Sequence, residues 1–256
     1  MRFWRNVAHL IEEADVIVEI VDARMPFLAR NLKLIDMINK AGKKHLLVFN
    51  KSDLISSKFK QGILRDFGEE IFFASAKEGN GMARFRTYLK ILARKSDFEK
   101  LRVGFVGYPN VGKSAIINAL VRRSKTKVAG KAGTTRGVHW VSFSNIKILD
   151  SPGVIPNHEW DEVKLGIVGA KDANKIKDPE RVALAIIDLF MKGDFSNIAK
   201  TYQLKEEDFN DKKDYEILEA IGKKKNLLSK GGIVDEKRTC MMLIKDWQSG
   251  KLNLND

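Results

Sequence analysis

The stretch that most constrains this chain is Gly107-Tyr108-Pro109-Asn110-Val111-Gly112-Lys113-Ser114. It follows an apolar run, Leu101 to Val106, and leads into Ala115-Ile116-Ile117-Asn118-Ala119-Leu120. The pattern predicts strand, glycine-bounded loop and helix, and it fits G-x-x-x-x-G-K-[ST] at every fixed position. In such a loop successive N–H groups and the helix N-terminus face an anion, and Gly112 lets the backbone come close. Lys113 would neutralise β- and γ-phosphate oxygens, and the Ser114 hydroxyl would hold Mg²⁺. A plain strand–turn–helix bend could use the same glycines, so the surrounding motifs decide.

Upstream, Val16 to Val21 is a mostly apolar, β-branched run that reads as a buried strand, and His45 to Phe49 reads as a second. The second delivers Asn50-Lys51-Ser52-Asp53. An aspartate at a strand's C-terminal edge can accept two hydrogen bonds from guanine N1–H and its exocyclic amine. Adenine lacks that donor pair, so the carboxylate would be left unpaired against it. A third strand, Ile71 to Ala74, ends in Ser75-Ala76-Lys77, whose backbone amides could reach the guanine O6. Downstream, Ala132 to Arg136 offers Thr135 as a hydroxyl ligand for Mg²⁺. Two strands, Val138 to Phe143 and Ile146 to Leu149, lead to Asp150-Ser151-Pro152-Gly153. There Asp150 could hold Mg²⁺ through water, and the Gly153 amide could sense a γ-phosphate.

Helices are expected over residues 3–13, 31–40, 57–67 and 82–95, and from the phosphate loop to about 123. Beyond Pro156 strand signals nearly vanish. Residues 161–191 and 214–247 read as helical, with Gly193, Gly222 and Gly231-Gly232 as punctuation. The chain is therefore expected to be an α/β domain over 1–156 followed by an all-α domain over 157–256. The net charge of +13 is uneven: residues 1–156 carry 28 lysines and arginines against 14 acids, and residues 157–256 carry 18 against 19. Such an excess beside a phosphate site suggests a polyanionic partner such as RNA. Its carriers include Arg84, Arg86, Arg94, Arg122, Arg123 and Lys125. The single cysteine, Cys240, staples nothing within the chain, and no run approaches a membrane span. A soluble, cytoplasmic protein with no membrane partner, and a monomer, is the expectation.

Together these motifs resemble the TRAFAC GTPases, with one difference of order. Conventional members run phosphate loop, switch threonine, D-x-x-G, N-K-x-D, S-A-K. Here N-K-S-D (50–53) and S-A-K (75–77) precede the phosphate loop (107–114), Thr135 and D-S-P-G (150–153). That is the pattern of circularly permuted GTPases, and Asp22-Ala23-Arg24-Met25-Pro26 is similar to the YlqF/RbgA-type ribosome-assembly branch. The resemblance implies a P-loop GTPase fold with a mixed, mostly parallel sheet. It implies GTP or GDP as ligand, held by Asn50, Lys51, Asp53, Ser75, Ala76, Lys77, Asn110, Val111, Gly112, Lys113, Ser114, Ala115, Thr135, Asp150 and Gly153. Lys113, Thr135 and Gly153 would serve hydrolysis; Ser114, Thr135 and Asp150 would hold Mg²⁺. Asn110 resembles the asparagine that ligates K⁺ in potassium-stimulated relatives. A ribosomal subunit and its rRNA are the implied partners, with a GTP-dependent scaffold that hydrolyses little as the alternative. Two departures bear on rate. Val154 and Ile155 follow D-x-x-G and cannot orient water, and the N-terminus lacks the branch's P-G-H-M segment, so His9 receives no catalytic role.

Overall fold

The arrangement follows from a sheet whose central strands are apolar on both faces. In the computed structural model, which describes residues 2–68, 71–122, 139–151, 153 and 161–254, the strands are β1 (Val16–Asp22), β2 (Lys44–Asn50), β3 (Ile71–Phe73), β4 (Leu101–Val106), β5 (His139–Phe143) and β6 (Ile146–Asp150). They lie in the order β3-β2-β1-β4-β6-β5. Every pairing is parallel except the β5–β6 hairpin. All seven residues of β1 are buried, as a parallel strand covered on both faces requires. Its one internal acid, Glu19, is neutralised by Arg30 at 3.1 Å.

The helices among these strands are α1 (Arg2–Glu13), α2 (Leu32–Lys40), α3 (Ser57–Phe67), α4 (Met82–Lys95) and α5 (Lys113–Arg122). On α1, Trp4, Val7, Leu10 and Ile11 form the buried stripe, packed with Ile17, Val106 and Leu149. Gly104 in β4 makes room for it, since a Cβ there would lie 2.5 Å from Leu10 Cδ2. Asn31 starts α2 by accepting from the Leu34 N–H. Phe85 of α4 packs on Phe72 and Phe105, fixing that helix against the sheet.

The topology positions the site. The chain runs outward from β1 through β2 to β3, then returns to the other side of β1 with β4. Order reverses between β1 and β4, and open α/β sheets bind ligands at the carboxyl ends of the strands at such a point. The motifs at 50–53, 75–77, 107–114 and 150–153 all follow carboxyl ends of these strands.

The described chain divides into two units, Met1–Asp53 with Ser57–Glu159, and Leu54–Ser56 with Trp160–Asp256. The second is built on α6 (Glu162–Ile167), α7 (Pro179–Lys192), α8 (Ser196–Tyr202), α9 (Asp214–Lys224) and α10 (Glu236–Ser249). Asp178 caps α7 and Pro179 opens it. Phe190 packs edge-on against Trp247, whose indole N–H donates to the Ile167 carbonyl at 2.8 Å. The expected helices at 161–191 and 214–247 are thus each broken, and α8 adds a further turn of structure. Gly222 is no break: it lies buried inside α9, where a Cβ would meet Val234 Cγ1 at 2.4 Å. In this unit Ile55 bridges Leu254 in parallel fashion. No helix among the described residues is long and apolar enough to cross a membrane.

Candidate nucleotide-binding site

The loop after β4 takes a conformation its glycines make possible. Gly107 has φ 145, and a Cβ there would sit 2.3 Å from the Ile20 carbonyl oxygen. Gly112 has φ 95, and a Cβ there would collide with Asn50 Nδ2 at 2.1 Å. Both are close approaches that no side chain permits. Lys113 begins α5, is almost fully buried, and donates from Nζ to the carbonyls of Gly107 and Tyr108, both at 3.1 Å. The ammonium therefore holds the loop curled around itself. Burial pushes the Lys113 pKa down to about 8, with the Asp150 carboxylate opposing the shift.

Asp150 ends β6 and faces the same loop. Its Oδ2 accepts from Ser114 Oγ at 3.4 Å. A hydroxyl and a carboxylate brought together at the start of α5 are oxygen donors suited to a hard divalent cation. Among the described residues no cluster of three or more His, Cys, Asp or Glu side chains forms a metal site. Gly153 lies against the loop: a Cβ there would be 2.6 Å from Pro109 Cα. Asn110 is exposed and left-handed, with φ 61.

Asn50 joins the two halves of the site. Its Nδ2 donates to the Val111 carbonyl at 2.8 Å, and its Oδ1 accepts from the Ala76 N–H at 3.2 Å. One side chain thus ties the phosphate loop to Ser75-Ala76-Lys77. The Ser52 N–H donates to the Ala74 carbonyl at 3.1 Å, fixing the turn that carries Asp53. Ser75 is fully buried and its Oγ accepts from the Glu78 N–H at 3.1 Å, whereas Lys77 is exposed. A cavity of about 400 Å³ opens here, with Ala76, Lys77 and Ala115 in its wall.

Of the remaining expectations, Thr135, Val154, Arg123 and Lys125 lie outside the described residues, as does the side chain of Arg122. His9 is exposed on α1. Arg84 and Arg94 are exposed on α4. Arg86 corrects the sequence reading: it turns inward and donates to the Ala119 and Leu120 carbonyls at the end of α5. It caps a helix and is not part of an open basic face. Sequence reasoning also took Asp22 and Arg24 only as a family signature. Asp22 is buried with Arg24 and Lys51 around it, and an acid closing a buried, mostly apolar strand was the signal.

Comparison with known proteins fits this geometry. YlqF of T. maritima, in its GNP-bound structure, superposes with a TM-score of 0.60 at 26% identity, over 99% of this chain and 96% of that one. The RsgA GTPase family model matches residues 5–158, and that of 50S ribosome-binding GTPases matches residues 102–228. The chain belongs to the circularly permuted GTPase family. Among members of this family, an uncharacterised GTP-binding protein of Methanocaldococcus jannaschii is 39% identical over 96% of this chain and 65% of its own length. Ribosome biogenesis GTPase A of Bacillus cereus is 29% identical over 97% of this chain and 87% of its own. The chain spans about half the length of the plant nuclear/nucleolar GTPase 2 relatives, covering 47% of the rice protein at 32% identity.

Proposed function

We propose that this protein binds GTP and GDP at the carboxyl edge of its sheet, hydrolyses GTP with Mg²⁺, and acts in ribosome assembly. The observation that carries the nucleotide assignment is Asn50, which bridges the phosphate loop at Val111 and the Ala76 amide. A guanine placed between Asp53 and Ala76 is then in fixed register with phosphates cradled at 110–115. Asp53 reads the N1–H and exocyclic amine, and the loop at 75–77 faces O6.

Hydrolysis at this site is positioning and charge neutralisation, as phosphoryl transfer generally demands. Lys113 and the N-terminus of α5 receive the phosphates. Ser114 and Asp150, with Thr135, would hold Mg²⁺, which supplies neutralisation of the developing charge on the β- and γ-oxygens. Gly153, against Pro109, is the group that a γ-phosphate would engage. With Val154 where a water-orienting glutamine could stand, turnover is slow without a partner. Asn110 is the group we assign to K⁺.

Ribosome assembly follows from the company the chain keeps: a relative named ribosome biogenesis GTPase A and a family model described as 50S ribosome-binding. The basic excess of residues 1–156 suits rRNA as partner, with residues 157–256 as a second domain engaging the particle. Calorimetry with GDP and ADP tests the first part, since equal binding of the two would exclude guanine readout by Asp53. Co-sedimentation with ribosomal subunits in a non-hydrolysable GTP analogue, against GDP, tests the second. Binding that ignores the nucleotide would rule out a GTP-controlled assembly factor.

A further inference from the structure

Asp22 closes β1 and is 1% exposed, yet it is ringed by cations. Arg24 donates from Nε to Oδ1 at 3.1 Å and from Nη2 to Oδ2 at 2.9 Å, and its backbone N–H donates to Oδ1 at 3.1 Å. Lys51 donates from Nζ to Oδ2 at 2.8 Å. Burial opposes ionisation here, but Arg24 and then Lys51 outweigh it and hold the carboxyl well below the usual carboxylate range. The strand register places Asp22 opposite Asn50, one residue before Lys51. Lys51 itself has φ 60, a left-handed conformation that a long side chain rarely adopts.

These facts separate two jobs. The fork from Arg24 already satisfies Asp22 and fixes the turn after β1. The Lys51 contact is an addition, made by a residue whose side chain is 22% exposed and whose ammonium could be solvated instead. A partly exposed lysine on a strained backbone keeps one rotamer only when something holds its far end. Preorganising such a side chain removes an ordering cost from binding.

Building on the reading of residues 50–53 as the guanine loop, we propose that Asp22 is a positioning residue of the guanine site. It anchors the Lys51 ammonium and thereby fixes the left-handed turn from which Asn50 and Asp53 project. It touches no nucleotide itself. The D-A-R stretch thus has a defined physical part in base recognition, distinct from reading the base edge.

The test is a double-mutant cycle on the full chain, with GDP affinity measured by calorimetry and melting recorded without nucleotide. Asp22→Asn is expected to weaken GDP binding about tenfold, the equivalent of about 1.4 kcal/mol. Lys51→Met should weaken it similarly, and the double variant should lose little more than either alone, because both act through one contact. Additive losses would mean that Asp22 does not work through Lys51, and unchanged affinity in Asp22→Asn would overturn the proposal outright. Should Asp22→Asn fail to fold, the milder Asp22→Glu takes its place in the cycle. An ammonium that serves Asp22 predicts the same fold loss for GDP and for a GTP analogue; a loss confined to the analogue, or none, overturns the proposal. Wild-type protein that binds no GDP would instead remove the guanine reading on which it rests.

Discussion

Lys113 is the residue whose environment makes the sharpest demand. Folding lowers its pKa from the ordinary 10.5 to about 8, mainly through burial. Between those values the unfolded chain binds more proton than the folded one, so stability of the nucleotide-free protein should rise with pH across that window. Phosphates arriving beside Nζ favour the charged form and draw the proton back. Above pH 8, GDP binding should therefore take up a proton, and affinity should fall as pH rises further. Calorimetry in buffers of different ionisation enthalpy reads this directly, and Lys113→Ala should abolish the uptake. Base selectivity belongs to a different residue. Asp53→Asn should weaken GTP binding and admit xanthosine triphosphate, whose altered ring edge suits an amide; a competition titration decides it. Unchanged guanine preference in that variant would move the readout elsewhere in the pocket.

At the scale of elements, the sequence was a good guide where one physical cause acts alone. Mostly apolar runs became β1 and β2 because nothing but a doubly covered sheet buries such strands. Each motif then fell at a carboxyl end. Guidance weakened wherever a partner distant in sequence decides the outcome. Arg86 looks like its neighbours Arg84 and Lys90 in a basic helix, and only the end of α5, more than thirty residues on, gives it another role. Gly222 reads as a helix breaker, but Val234 and Thr239 press so close that only glycine fits. The two cations around Asp22, Arg24 and Lys51, come from two neighbouring strand ends, and their meeting depends on register. The Arg86 finding carries a prediction. Arg86→Gln should uncap α5 and cost about 1–2 kcal/mol in a denaturant titration, because part-buried hydrogen bonds to helix-terminal carbonyls are lost. Stability equal to wild type would mean that the Arg86 contacts contribute nothing. Gly153→Ala tests a second junction between elements. The added methyl must displace the Pro109 backbone, so binding of a GTP analogue should fall more than binding of GDP.

Over the whole molecule, the charge distribution separates a nucleotide-binding half with a large basic excess from a near-neutral remainder. A phosphate loop needs few cations, and here Lys113 meets most of that need from a buried position. Of the basic residues on α4, Arg84 and Arg94 are exposed, while Arg86 is committed to α5. Arg84 and Arg94 are therefore suitable for charge reversal without loss of internal contacts beyond the Arg84 stack over Phe72. Arg86 must be left alone, since its loss would mix helix stability into the result. If rRNA is the polyanion, the Arg84→Glu/Arg94→Glu variant should bind ribosomal particles more weakly. Each lost phosphate contact should also reduce the slope of log K against log salt by roughly one. GDP affinity and melting temperature should stay at wild-type values, because neither residue reaches the loop at 107–114. Equal particle binding with an unchanged salt slope would show that the α4 surface is only solvated. A loss of particle binding with an unchanged slope would point instead to a protein contact on α4, where the exposed Ile91 lies between the two arginines.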